Sequence, residues 1–134
     1  MKEQARIIRV EGTVFSGAGE GAKFARLPWF KRQILDKIGF VPYEGTLNLR
    51  LDGENLKARK VLEEANPIII IPKEGYCYGK CFKAYIDGLA EGAVVVPQVE
   101  NYPKDVLEII APVNLREKLG LKDGDRLRIS ILLE

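Results

Sequence analysis

Three glycines at alternate positions, in Gly17-Ala18-Gly19-Glu20-Gly21, are the residues of this chain best suited to chemistry. They follow a strand-like run ending in Val14-Phe15 and precede a helical pattern. Glycine admits positive φ and lets the backbone approach another group closely. Such a turn, aimed at a helix start, leaves N–H donors free to meet an anion, typically a phosphate. The stretch is not a Walker A loop, since no Gly-Lys-Ser/Thr follows, and its spacing does not fit the dinucleotide-binding fingerprint. A plain strand-to-helix connection is the alternative.

Three further groups carry polar chemistry. Thr46 and Asn48 lie two apart on a strand-like run, so their side chains share a face with Cα atoms about 6.5 Å apart. A hydroxyl and an amide oxygen at that spacing suit one small hard cation. Mg²⁺ accepts neutral oxygens when phosphates supply the charge; the alternative is that both satisfy backbone groups beside the Gly45 turn. Glu108 is a carboxylate inside the apolar run Val106-Leu107-Glu108-Ile109-Ile110. Alternation puts it opposite Leu107 and Ile109, either solvated or paired. A paired carboxylate there suits a group that orients or accepts a hydroxyl proton. Pro112-Val113-Asn114-Leu115-Arg116 brings an amide and a guanidinium to a helix start. Arg116 either holds a phosphate or contacts a base edge, or pairs on the surface with Glu117 or Asp123. Tyr43, Tyr76, Tyr78, Tyr85 and Tyr102 fall near turns, where they can stack on a planar ligand or pack at the surface.

The elements that must position these groups are mostly short strands. Runs of β-formers predict strands at Arg6–Phe15, Thr46–Leu51, Ile68–Ile71, Lys80–Ile86, Val94–Val96, Leu107–Ala111 and Arg126–Leu132. Asp87-Gly88 signals a hairpin. Pro28 opens a helix carrying Trp29, Phe30, Ile34, Leu35 and Ile38, with Gly39 as its stop. Leu56–Ala65 repeats the helical period, and Leu115–Leu119 gives one turn. Many short strands with few helices favour a closed barrel over an open sheet. The helices are too few for regular βαβ crossovers.

At 134 residues the chain reads as a single domain spanning 1–134. Hydrophobic residues make up 46% and charged residues 30%, ordinary for a globular protein and with a lean toward thermophile usage. Met1 is followed by Lys2-Glu3-Gln4-Ala5-Arg6 rather than an apolar leader, and no apolar run is long enough to span a membrane. The expected setting is cytoplasmic, without membrane association. There is no histidine, which excludes histidine triads. Cys77 and Cys81 are too few to close a four-ligand metal shell and are expected as buried or idle thiols.

Together these segments resemble the archaeal CTP-dependent riboflavin kinases. The resemblance rests on Gly17-Ala18-Gly19-Glu20-Gly21 with Phe24, on Gly39-Phe40-Val41-Pro42-Tyr43-Glu44-Gly45-Thr46-Leu47-Asn48, and on Tyr102-Pro103-Lys104-Asp105-Val106-Leu107-Glu108-Ile109-Ile110-Ala111-Pro112. Val113-Asn114-Leu115-Arg116 and Leu121-Lys122-Asp123-Gly124-Asp125 complete it. It implies a mainly β fold, a compact six-stranded cradle-loop β-barrel with a few short helices. It further implies transfer of a phosphoryl group from CTP to the ribityl 5′-hydroxyl of riboflavin, giving FMN and CDP. Carried over by position, Gly17, Ala18, Gly19, Glu20, Gly21 and Ala22 would hold the nucleotide together with Val113, Asn114, Leu115 and Arg116. Thr46 and Asn48 would bind one Mg²⁺, and Glu108 would meet the ribityl end of the flavin. Where the family pattern leads one to expect Thr-His before Tyr-Pro, this chain has Glu100-Asn101 before Tyr102-Pro103. Glu100 retains an acceptor there but adds charge beside the flavin. The expected partners are riboflavin or FMN and CTP or CDP, with no nucleic acid, on a monomer.

The competing expectation is a non-enzymatic cradle-loop barrel that binds DNA or another protein. The ending Leu119–Leu127 resembles a hairpin of such barrels. DNA binding needs a concentrated basic face. Here 21 basic residues are interleaved with 19 acidic ones for a net charge of +2. Lys31-Arg32 and the stretch Lys57–Lys60 read as solvated helix faces.

Overall fold

The computed structural model describes residues 6–17, 20–88 and 90–133. Seven strands occur among them: β1 (Arg6–Phe15), β2 (Leu47–Leu51), β3 (Ile68–Ile70), β4 (Gly79–Ile86), β5 (Ala90–Pro97), β6 (Val106–Ile110) and β7 (Arg126–Leu133). The four short helices among the described residues are α1 (Glu20–Ala25), α2 (Pro28–Lys37), α3 (Lys57–Glu64) and α4 (Leu115–Leu119). A 3₁₀ turn, Gly53–Leu56, leads into α3.

Six strands close a barrel in the order β4-β5-β6-β2-β1-β7, and β7 returns to β4 through Ala84↔Ile131 and Ile86↔Ile129. The pairings are antiparallel. β3 sits outside the closure, pairing with the first residues of β4. Closure leaves the barrel strands without free edges. Alternation then decides what is inside: Val10, Val14, Leu49, Phe82, Leu107, Ile109, Ile129 and Ile131 fill the interior, with Leu62 of α3 and Leu115 of α4 packed against it.

A second apolar cluster lies on the outer wall. Phe24, Trp29, Phe30 and Ile34 of α1 and α2 cover Ile70, Cys81, Val95 and Ile110. Proline at the start of α2 and Gly39 at its end, with φ +109° and its N–H on the Ile34 carbonyl at 2.9 Å, bound this helix as its sequence predicts. Cys81 is fully buried in this cluster, and desolvation pushes its thiol up to about 12. Cys77 precedes β4, and both thiols are free of disulfides. No helix among the described residues is long and apolar enough to cross a membrane.

β5 starts earlier than its sequence suggests, at Ala90 rather than Val94. Gly92 explains how it fits. A Cβ there would come within 2.6 Å of the Ile110 carbonyl oxygen and 2.7 Å of Ile86 Cδ1. Gly92→Ala is therefore expected to destabilise the barrel by about 1–3 kcal/mol, read as a lowered urea midpoint. An unchanged midpoint would mean that β5 can move away from β6 at no cost.

Candidate active site

Glu108 is the centre of the site. It lies on β6 opposite Asn48 of β2 and beside Val95 of β5. The inward positions of β6 are taken by Leu107 and Ile109, so Glu108 faces outward, as alternation predicts. It is nevertheless only 2% exposed. Its Oε1 accepts from Thr46 Oγ1 at 3.0 Å and its Oε2 from the Tyr102 hydroxyl at 2.5 Å. The solvated alternative for Glu108 is thus excluded. A buried carboxylate needs such donors, and two hydroxyls fix the plane of this one.

Asn48 is also buried, and Gly17 packs against it. A Cβ on Gly17 would stand 2.9 Å from Asn48 Nδ2, so only glycine leaves this approach open. Gly17 is exposed, and Glu20, Gly21 and Ala22 fall in α1. Ala18 and Gly19 lie outside the described residues. Gly17, two residues after β1, thus lies against Asn48 of β2.

A cavity of about 140 Å³ opens beside Thr46, lined by Tyr43, Gly45, Ala111 and Val113–Arg116. Asn114 caps α4 by accepting from the Glu117 N–H at 3.3 Å, and its Nδ2 donates to the Tyr43 hydroxyl at 3.1 Å. Leu115 is 4% exposed, its side chain packed against the barrel interior at the floor of this cavity. Arg116 Nη2 donates to Asp123 Oδ1 at 2.6 Å and approaches Ser16 Oγ at 3.4 Å. That is the surface pairing with Asp123 foreseen as its alternative, and it ties α4 to the residue before Gly17. The Arg116 guanidinium and the Ser16 hydroxyl hold the Asp123 carboxyl below the usual carboxylate range.

A larger cavity, about 460 Å³, borders Tyr102, the second hydroxyl donor to Glu108. Glu100, Asn101 and Tyr102 line it with Gln98, Lys80, Phe82 and Arg59. Its volume falls in the usual range for small-molecule sites. Asn101 adopts φ +66°, a left-handed conformation that asparagine tolerates. Glu100 is exposed at the rim and belongs to this cavity, apart from the glycine stretch.

The stretch Lys57–Lys60 requires a correction. Arg59 is not on a solvated face but 7% exposed. It donates to the carbonyl oxygens of Pro103 and Val106 and lies over the Tyr102 ring. Desolvation lowers its pKa, opposed by Tyr102 and the acidic Glu63 and Asp105. One signal pointed to it: Arg59 precedes Leu62 by three residues, on the side of α3 that faces the barrel. Tyr102 as a donor to Glu108 carried no such signal.

The residues present fit a hard cation only with help. Among the described residues no group of three Asp, Glu, His or Cys side chains could hold a metal. Thr46 and Asn48 offer neutral oxygens beside the buried Glu108, to which Thr46 Oγ1 already donates. That donor set suits Mg²⁺ whose charge is balanced by phosphates.

The chain is thus a small closed antiparallel β-barrel that carries a buried carboxylate hydrogen-bonded by two hydroxyls. The sequence model of the family CTP-dep_RFKase, described as "Domain of unknown function DUF120", matches residues 14–131, and the chain belongs to this family. It is 45% identical over 130 residues to a riboflavin kinase of Archaeoglobus fulgidus, covering 94% of this chain and 55% of that protein. It is 48% identical over 133 residues to a riboflavin kinase of Pyrobaculum aerophilum, covering 94% and 61%. A riboflavin kinase of Methanosarcina barkeri is 39% identical over 132 residues, with 93% and 57% covered. The chain thus spans little more than half the length of the curated relatives it matches.

Proposed function

We propose that this chain is the catalytic barrel of a CTP-dependent riboflavin kinase. The observation that carries the reading is the hydrogen-bonded line Thr46–Glu108–Tyr102. Thr46 borders the smaller cavity, Tyr102 borders the larger, and Glu108 lies between them. A two-substrate transfer needs both reactants oriented at one centre with a proton acceptor in reach. The names of the relatives and of the family supply the substrates.

In this reading riboflavin enters the larger cavity with its ribityl end toward Glu108 and its ring near Glu100. The nucleotide lies along Gly17–Ala22 and Val113–Arg116. Backbone N–H groups of the glycine stretch meet its phosphates, as does Arg116 once it shares its donors with Asp123. Thr46 and Asn48 would hold one Mg²⁺, which when bound offsets charge on the phosphate oxygens. The ribityl 5′-oxygen forms a bond to the γ-phosphorus, the bond from that phosphorus to the β–γ bridging oxygen breaks, and the hydroxyl proton passes to Glu108. Products are FMN and CDP. Such transfers depend on in-line positioning and charge stabilisation more than on covalent chemistry.

The test is direct. Riboflavin and Mg²⁺ are incubated with CTP, ATP, GTP or UTP, and FMN is followed by chromatography. FMN formed chiefly with CTP is the expected result. FMN formed equally with all four donors would overturn the donor assignment, and none with any donor would overturn the kinase.

A further inference from the structure

Arg59 is a cation buried on a helix whose neighbouring Lys57 and Lys60 are exposed. Removing a guanidinium from water is costly unless its donors are used. Here Nη1 donates to the Pro103 oxygen at 2.8 Å and to the Val106 oxygen at 2.9 Å. The guanidinium carbon stands 5.5 Å from the centroid of the Tyr102 ring, within cation–π reach. Every one of these partners belongs to a single segment, which runs from the larger cavity into β6. Tyr102 in turn donates to Glu108 Oε2, and Val106 precedes Glu108 by two residues on the strand.

We propose that Arg59 is a positioning residue: by gripping Tyr102, Pro103 and Val106 it sets the direction of the Glu108 carboxylate. The inference rests on the kinase reading above. The segment has other tethers, the Leu51 N–H to the Asp105 oxygen at 2.6 Å and the Arg50–Asp105 ion pair at 3.6 Å. Those act on the backbone and on Asp105. Arg59 acts on the ring whose hydroxyl reaches the carboxylate. Lysine replaces it only in part: one Nη1 serves both carbonyls, which an ammonium could also do, but an ammonium has no flat guanidinium face to lay over the Tyr102 ring.

Arg59→Met, Arg59→Lys, Tyr102→Phe and the double variant Arg59→Met with Tyr102→Phe test this. Emission of the single tryptophan, Trp29, and the urea midpoint establish the folded fraction of each. Per folded molecule, Arg59→Met is expected to lose about a hundredfold in kcat, the scale of a misplacement near one ångström. The KM for CTP stays within about threefold and Arg59→Lys falls between Met and wild type. The double variant is expected to be no slower than the worse single one, since both act on one carboxylate. Amide hydrogen exchange of residues 101–106 is expected to speed up in Arg59→Met while β1 and β7 keep their protection. Unchanged kcat per folded molecule, additive losses in the double variant, or unchanged exchange at 101–106 would each overturn the proposal. A wild-type protein that makes no FMN from any donor would instead sink the kinase, and the exchange data would still decide whether Arg59 holds the segment.

Discussion

Glu108→Gln is expected to slow FMN formation by about a thousandfold, the middle of the range for a lost acid–base group, while the barrel stays folded. Glutamine keeps the volume of the side chain, so the surrounding Asn48, Val95, Thr46 and Tyr102 need not repack. It accepts one hydroxyl through Oε1, and the other hydroxyl can rotate to accept from Nε2. What is lost is the negative charge and the second acceptor. If Glu108 takes the ribityl proton, turnover falls while riboflavin binding, followed by quenching of flavin fluorescence, changes much less. If it merely anchors the ribityl chain, affinity falls and turnover at saturating riboflavin survives. Full turnover with normal binding would remove Glu108 from the mechanism. Glu108→Ala is the poorer probe, because it also leaves two partly buried hydroxyls without their acceptor.

The polar sites most legible in the sequence were those on elements with strong local signals. β1 was readable because Ile7, Ile8, Val10, Val14 and Phe15 favour extended backbone whatever they pair with, and α2 because Pro28 and Gly39 bracket it. The hairpin at Asp87-Gly88 was readable because both residues take positive φ. β5 was legible only in Val94–Val96. Ala90, Glu91, Gly92 and Ala93 have little β preference, and they are extended because β4 pairs with each of them and β6 packs on Gly92. That information lies in other strands. α1 is six residues long and holds a glycine, so its place was marked only by the turn before it.

The same distinction runs through the candidate site. An acidic residue in an apolar strand announces Glu108, and two-residue spacing announces Thr46 with Asn48. The burial of Glu108, however, depends on a threonine 62 residues away and a tyrosine on the preceding loop. The β2–β6 register brings Thr46 to Glu108, and the short loop into β6 brings Tyr102. Arg59 was harder still. A basic residue among Lys57 and Lys60 looks like solvent-facing charge, and only the path of residues 102–106 across α3 gives it partners. Arg116 shows the reverse: sequence proximity to Asp123 foretold its ion pair.

The second large effect concerns the two neutral oxygens of Thr46, just before β2, and Asn48 on it. Asn48→Ala is expected to raise the Mg²⁺ concentration needed for half-maximal rate by about tenfold to a hundredfold, the scale seen when support for a bound ion is lost. At fixed low Mg²⁺ the rate loss should be of the same order. Asn48 is the cleaner of the two probes. Thr46 also donates to Glu108 at 3.0 Å, so Thr46→Val would disturb the carboxylate along with any ion. Asn48→Asp separates the possibilities further. It would add a charged oxygen for an ion but place that charge directly across the ladder from Glu108, where like charges repel. Without divalent cation Asn48→Asp should therefore unfold at lower urea than wild type, and millimolar Mg²⁺ should recover part of the difference. For Asn48→Ala the midpoint should not respond to Mg²⁺ beyond the wild-type response. A rate whose Mg²⁺ dependence is the same in wild type and Asn48→Ala would mean that the ion is carried by the nucleotide phosphates alone. Asn48 would then serve the close packing of Gly17, where an added Cβ would meet its amide at 2.9 Å.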